Sequence, residues 1–494
     1  MDVLLSAVVS DLVGRLFSFL IKKYQEHGAI DTVVRLQQAV LRARVVVEEA
    51  DGRHIANRAM LQQLNQLRQE LCRAAYALDA FRWRAIKLYG TSHVRASQFG
   101  SHTRPPSRSY CVDDTLSVMV ENMEATLSDM RELVLLLGGC PRVIRQPYSS
   151  YLFMETCMFG RQMEREKVTS FLLLGPSQDL EVLPIIGRHE VGKRTLVEHV
   201  CLDDRVRERF TKIHRFRSDE LDDLHSHDYE HHHRSLFDFT AKSLIVINMV
   251  DSDTDAEESW KRFRSAVRRH AHGGSKIIVI SRTEAHASLG TVPPLRLHPP
   301  RREELWYFFK NLAFGGADPD ERPDLVRIAM ELCAGISEFA PFVVANIIAA
   351  SLRADISPRS WHRVRKMGAK AIMLRPDATG DAFDEYKAGR YYPCRPLRDP
   401  GVPCMFYNRR KLIGVARNKL PKVTMWELIA GSSVLLPAGE TQFEMLVWQS
   451  RVPPYVSYVT TCNMERARQL LTAGEKRARK RRRDQHDNNQ RRFV

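Results

Sequence analysis

The chain lacks any apolar run of the roughly 18 residues needed to cross a bilayer. Its first twenty residues are apolar-rich, but Asp2, Asp11 and Arg15 interrupt them. No basic segment precedes them and no small-residue cleavage site follows, so a secretory leader is not expected. Cys-x-x-Cys pairs are absent too. The nine cysteines (Cys72, Cys111, Cys140, Cys157, Cys201, Cys333, Cys394, Cys404 and Cys462) are dispersed. An odd, scattered set in a long chain points to reduced thiols, hence to the cytoplasm or the nucleus. No internal repeat of about 20–30 residues occurs, which excludes a solenoid array within these residues. Nor is there a strongly basic fold. The formal net charge is +16, but Lys476–Val494 holds nine Lys/Arg against two Asp. A large part of the excess is therefore a property of the tail.

What is present is a chain of 494 residues, 44% of them hydrophobic. That suffices for three or four domains at roughly 150 residues each. Residues 1–140 carry helical periodicity. Leu5, Val8, Val9, Leu12, Leu16, Phe19 and Leu20 form one stripe; Val33, Leu36, Val40 and Val47 a second; Leu61, Leu64, Leu67, Leu71 and Leu78 a third. Residues 89–111, with Pro105-Pro106, read as a loop. Asp113 and Asp114 are cap candidates for a last helix striped by Leu116, Val120, Met123, Leu127, Met130 and Val134. The expectation is an antiparallel four-helix bundle. A linker over 141–158 follows.

From 159 to 299 the pattern changes to short apolar runs separated by helical stretches: Val182–Ile186, Ser243–Ile247 and Lys276–Ile280. Continuous runs of that length suit strands buried on both faces of a parallel sheet. Residues 300–355 return to helix, 356–474 form an unassigned mixed α/β region, and 475–494 are a basic disordered tail. The fold class read from this order is multidomain α and α/β.

The segment Gly187-Arg-His-Glu-Val-Gly192-Lys193 fits GxxxxGK between an expected strand and an expected helix. Gly187 and Gly192 let backbone amides curl around a phosphate, Lys193 reaches it, and the helix N-terminus favours its charge. The alternative is an ordinary glycine-containing turn. Two parts of a working loop are missing. The residue after the lysine normally supplies the hydroxyl that holds Mg²⁺; here it is Arg194. Thr195 comes one position late, about 100° around the helix. The strand Leu244–Val250 lacks terminal acids as well: Asn248 and Met249 stand there, and Asp251 and Asp253 follow beyond the expected strand end. Both departures argue against ATP hydrolysis and make Mg²⁺ doubtful.

With these parts in order, the chain resembles the coiled-coil class of plant nucleotide-binding, leucine-rich-repeat (NB-ARC) disease resistance receptors, over residues 1 to about 355. The segment Cys72–Arg82, with Asp79, is similar to the acidic motif of their N-terminal domain. Phe159-Gly160-Arg161 resembles the segment whose backbone lies by the adenine. Gly274–Arg282 is similar to the strand whose arginine senses the terminal phosphate, and Trp306–Gly315 to the motif that follows. The resemblance implies ADP or ATP as ligand, held by Phe159, Gly160, Arg161, Gly187, Val191, Gly192, Lys193, Arg194, Thr195, Leu196 and Arg282. It also implies protein partners engaged through the N-terminal helices, with self-association as a further option. The Gly335–Pro341 stretch is a poor copy of the family's adenine-side motif. The winged helix with its Met-His-Asp motif is not visible after residue 355.

Three other features invite function. His225, His227, His231, His232 and His233 cluster among acids, but their spacing matches no closed metal site; a polar loop is the simpler reading. The first helix ends in Lys22-Lys23, and membrane contact is the lesser alternative to packing in the bundle. The run Lys476–Arg483 reads as a nuclear address, as a nucleic-acid patch or as a solvated tail. A functional P-loop ATPase and a nucleic-acid-binding nuclear protein are the alternatives to a nucleotide-holding receptor.

Overall fold

The structure is a computed structural model. It describes residues 29–95, 110–142, 158–175, 179–221, 241–249, 256–270, 272–336, 341–372, 392–394, 404–413, 415, 417–424 and 442–463. The chain divides into two compact units: residues 1–148 together with 301–307, and residues 149–300 together with 308–494.

In the first unit, helices α1 (Ala29–Asp51), α2 (Arg58–Arg95) and α3 (Tyr110–Asp129) pack against one another, and α4 (Arg131–Gly138) continues from α3. The expected stripes are its core: Leu36, Val40 and Val47 from α1, and Leu61, Leu64, Leu67, Leu71 and Leu78 from α2, are all buried. Burying one stripe per helix is what stabilises helices of this length. Asn57 caps α2, its Oδ1 accepting from the amide of Ala59 at 2.9 Å. Arg53 ties the α1 end to the end of α4 by donating to the Cys140 carbonyl at 2.9 Å. The first expected helix lies outside the described residues. The expected loop over 89–111 is shorter than read, because α2 runs on to Arg95 and α3 starts at Tyr110, which puts Asp113 and Asp114 inside the first turns. The last stripe also rotates. The helix breaks at Met130, between α3 and α4, and beyond it Leu133 and Leu137 are buried while Val134 is 47% exposed.

Residues 301–307 belong to this unit. Trp306 and Asp79 are 1% and 3% exposed, and the indole N–H donates to Asp79 Oδ2 at 2.9 Å. A buried carboxylate needs such a donor. Burial pushes the neighbouring Tyr307 hydroxyl up to about 12.

The second unit is built on a five-stranded parallel sheet of order β2-β3-β4-β1-β5: β1 (Glu181–Gly187), β2 (Lys212–Arg217), β3 (Ser243–Asn248), β4 (Lys276–Ser281) and β5 (Leu295–Leu297). Helices α5 (Gln162–Leu173), α6 (Lys193–Cys201), α7 (Asp204–Arg209) and α8 (Ala256–His270) fall between strands or ahead of them. Two apolar clusters form. One joins Leu183, Ile185, Val246 and Ile278 to Val168, Leu172, Leu196 and Val200; the other joins Val182, Ile245, Ile247 and Ile277 to Trp260, Phe263 and Val267. Successive strand residues point to opposite faces, so the apolar runs of β1, β3 and β4 are continuous because both faces are covered. Lys276 is buried at the start of β4, where its Nζ meets Glu181 Oε2 at 2.8 Å.

Helices α9 (Arg302–Phe314), α10 (Pro323–Ala334), α11 (Pro341–Ala354) and α12 (Pro358–Ile372) follow. The previously unassigned region contains, beyond α12, an antiparallel sheet of order β6-β7-β9-β8: β6 (Tyr392–Cys394), β7 (Cys404–Ile413), β8 (Gln442–Gln449) and β9 (Val456–Asn463). In β8, Phe443, Met445 and Val447 are buried between exposed or half-buried neighbours, the period-two pattern of a one-sided strand.

Candidate functional site

The sheet delivers the GxxxxGK turn at its C-terminal edge, where parallel α/β sheets place ligands. Gly187 closes β1, opposite Leu297 of β5. A Cβ there would lie 2.6 Å from the Leu297 carbonyl oxygen, so no side chain fits. Gly192 has φ +100° as the residue before α6, a conformation that glycine adopts without strain. Glu190 adopts φ +52° without that freedom, and its carboxylate accepts from the Tyr458 hydroxyl of β9 at 2.6 Å. Lys193 opens α6. Its ammonium donates to the Gly187 carbonyl and, at 2.7 Å, to that of Arg188, so the cation sits in the cradle of its own loop. Val191 and Leu196 are buried in the apolar cluster beneath. Thr195 is half-buried one step past Arg194.

The two positions that depart from a metal-binding loop touch each other. Arg194 Nε donates to Asn248 Oδ1 at 3.1 Å. Asn248 ends β3 and pairs in register with Arg217, the last residue of β2, and with Ile280 of β4. Arg282 follows the end of β4. Partial desolvation of the guanidinium head, then the nearby charge of Arg217, lower the Arg194 pKa from its ordinary value; Glu198 opposes this and Arg282 adds to it. Arg217 itself is paired with Asp219 at 2.8 Å. Met249 is buried in the core and its amide donates to the Ile280 carbonyl at 2.9 Å, so it continues the pairing of the sheet. Asp251 and Asp253 lie outside the described residues.

The turn fits a phosphate group: glycines where a Cβ would fill the cradle, a lysine at its centre, and a helix N-terminus behind it. It does not fit Mg²⁺, since a guanidinium and an amide occupy the positions of the hydroxyl and the carboxylate.

Phe159, Gly160 and Arg161 stand ahead of α5. Gly160 has φ +68°. Phe159 packs on Phe308, with ring centroids 5.2 Å apart, and Phe308 meets Phe342 edge-on at 5.4 Å. The Arg161 guanidinium is buried, bonded to Glu164 at 3.1 Å and to the His298 carbonyl, and lies 6.0 Å from the Phe342 ring. These side chains tie the segment to α9 and α11. Sequence reasoning missed Arg217, Glu190 and Tyr458. Neither Arg217, at the end of the polar edge strand β2, nor the Glu190–Tyr458 pair left a local signal.

Residues 8–104 match the model of the Rx N-terminal domain. Disease resistance protein RGA2 of Solanum bulbocastanum is 22% identical over 387 residues, 74% of this chain and 38% of that protein. A putative disease resistance RPP13-like protein 1 of Arabidopsis thaliana is 24% identical over 397 residues, 73% of this chain and 36% of that protein. The chain is thus similar to plant disease resistance proteins, and its residues 8–104 to the Rx N-terminal domain. It spans little more than a third of the length of these relatives. Domain III of the Thermotoga maritima replication initiation protein DnaA also aligns, at 12% identity and a TM-score of 0.31, covering 45% of this chain and 98% of that one.

Asp79, in the segment that resembles the acidic motif, is the residue that receives the Trp306 indole. The histidine cluster, the first helix and the basic tail lie outside the described residues. Among the described residues no helix is long and apolar enough to cross a membrane, and no cluster of metal-ligating side chains forms.

Proposed function

We propose that this chain is a plant defence protein that holds ADP or ATP as a regulatory or structural ligand and acts through protein partners, with little or no hydrolysis. The observation that supports it is the GxxxxGK turn on a parallel sheet, with Lys193 at its centre and Arg194 bonded to Asn248 where a metal would be held. Bound nucleotide supplies a diphosphate whose charge the loop complements. Lys193 exchanges its bonds to the Gly187 and Arg188 carbonyls for a phosphate oxygen, and the backbone from Val191 to Leu196 orients the group.

The helices of the first unit are the surface assigned to partners and to self-association. The cytoplasm is the proposed compartment, with import into the nucleus if the Lys476–Arg483 run acts as an address. Steady-state ATPase assays on the purified chain with Mg²⁺ test the reading. It predicts no turnover in the natural protein and a gain in the double variant Arg194→Thr/Asn248→Asp. Metal-dependent turnover by the natural protein would replace this reading with a working P-loop ATPase.

A further inference from the structure

Arg194 and Asn248 are separated by 54 residues in the chain, yet they form one hydrogen-bonded pair. They occupy the two protein positions from which a phosphate loop holds its metal: the side chain after the lysine and the last residue of a second strand, here β3, one strand removed from β1. A divalent cation held by one hydroxyl and one carboxylate presents a single net positive charge to the phosphates. A guanidinium held by a neutral amide presents the same. Two losses that look independent in sequence are therefore one exchange that conserves charge.

Geometry supports the exchange. Asn248 accepts only the Nε–H of Arg194, and among the described residues the two terminal nitrogens of that guanidinium make no other hydrogen bond. Those two nitrogens form the planar fork that matches oxygens of a phosphate. Arg194 is the second residue of α6, next to the loop lysine, and so on the phosphate side of the helix start. Arg217, itself paired with Asp219, and Arg282 stand at the ends of the two strands that flank β3, and the charge of each acts on Arg194 against that of Glu198. Gathering like charges at one edge of a sheet costs energy, which a polyanion offsets.

We propose that Arg194, oriented by Asn248, takes the place of Mg²⁺, so that this loop binds a nucleoside diphosphate without a divalent cation. The inference rests on the nucleotide-holding reading above and adds a metal-independent mode to it.

The test is fluorescence anisotropy of N-methylanthraniloyl-ADP with the full chain, titrated in EDTA and again in excess MgCl₂. The proposal expects dissociation constants that agree within about twofold in the two buffers. It expects Arg194→Thr to weaken binding in EDTA by at least about tenfold, the loss of one charge-assisted contact. It expects Arg194→Thr/Asn248→Asp to bind at least about tenfold tighter with Mg²⁺ than without. Arg194→Lys, which keeps the charge but not the fork, is expected to fall between natural protein and Arg194→Thr, and separates a local effect from misfolding. Natural protein that binds with Mg²⁺ and loses the probe in EDTA overturns the inference and leaves the nucleotide reading standing. So does an Arg194→Thr affinity in EDTA equal to that of the natural protein. Absence of binding in both buffers overturns the nucleotide reading itself.

Discussion

Trp306→Phe removes one indole N–H from the interior of the first unit and leaves the Asp79 carboxylate without that donor. The bond is 2.9 Å long and both residues are almost fully buried. A hydrogen bond to a charged group contributes about 1.5–3 kcal/mol, and a buried partner left unsatisfied costs a similar amount. Asp79→Ala is therefore expected to destabilise the unit by about 2–3 kcal/mol, and Trp306→Phe by about the same once the smaller ring is included. The double variant removes both partners, so the two losses do not add; the expected coupling is about 1.5 kcal/mol or more. Asp79→Asn, whose amide oxygen still accepts the N–H, is expected to retain roughly half of the bond. Hydrogen exchange of the α2 amides reads the effect locally, and each 1.4 kcal/mol of lost stability accelerates exchange through opening by about tenfold. Additivity of the two single variants within about 0.5 kcal/mol would refute the claim that this bond ties residues 301–307 to the helices.

Two further substitutions and a titration probe the second unit. Gly187→Ala places a methyl group against the Leu297 carbonyl and the Val191 side chain and is expected to cost about 1–3 kcal/mol by urea unfolding. Gly175→Ala, where a Cβ meets nothing within 4 Å, is expected to stay within about 0.5 kcal/mol. Desolvation, helped by Arg165 and Lys212 respectively, lowers the pKa of His199 and of His214. A histidine with a depressed folded pKa binds its proton first in the unfolded chain, so its contribution to stability is fully present above about 6.5 and is lost as pH drops through that value. The urea midpoint is expected to decrease between about pH 7.5 and 5.5, and His199→Gln/His214→Gln to flatten that slope; an unchanged slope in the double variant would contradict the assignment.

The elements legible in the sequence were those whose pattern one local rule determines. The apolar runs of β1, β3 and β4 were readable because both faces of those strands are covered. Leu61, Leu64, Leu67 and Leu71 were readable because each helix buries one stripe. β2 was not, since Lys212, His214, Arg215 and Arg217 of an edge strand face half-open surroundings and hide Ile213 and Phe216. β5 is three residues long, below any pattern. In β8 the alternation of Phe443, Met445 and Val447 was present, but without a turn signal to frame it. At the site, Arg194, Asn248 and Met249 were visible as departures from a motif. That Arg194 holds Asn248, and that Arg217 stands beside them, depends on strand order, which no local pattern encodes. The same holds for Asp79 and Trp306, separated by 227 residues.

The central claim is that the loop holds a nucleotide and needs no metal to do so. Its most direct test is mass spectrometry of the small molecules released by acid from the full chain after purification in EDTA throughout. The account predicts a near-stoichiometric adenine nucleotide, predominantly the diphosphate. An empty protein, or one that carries nucleotide only when Mg²⁺ is kept in every buffer, would contradict it.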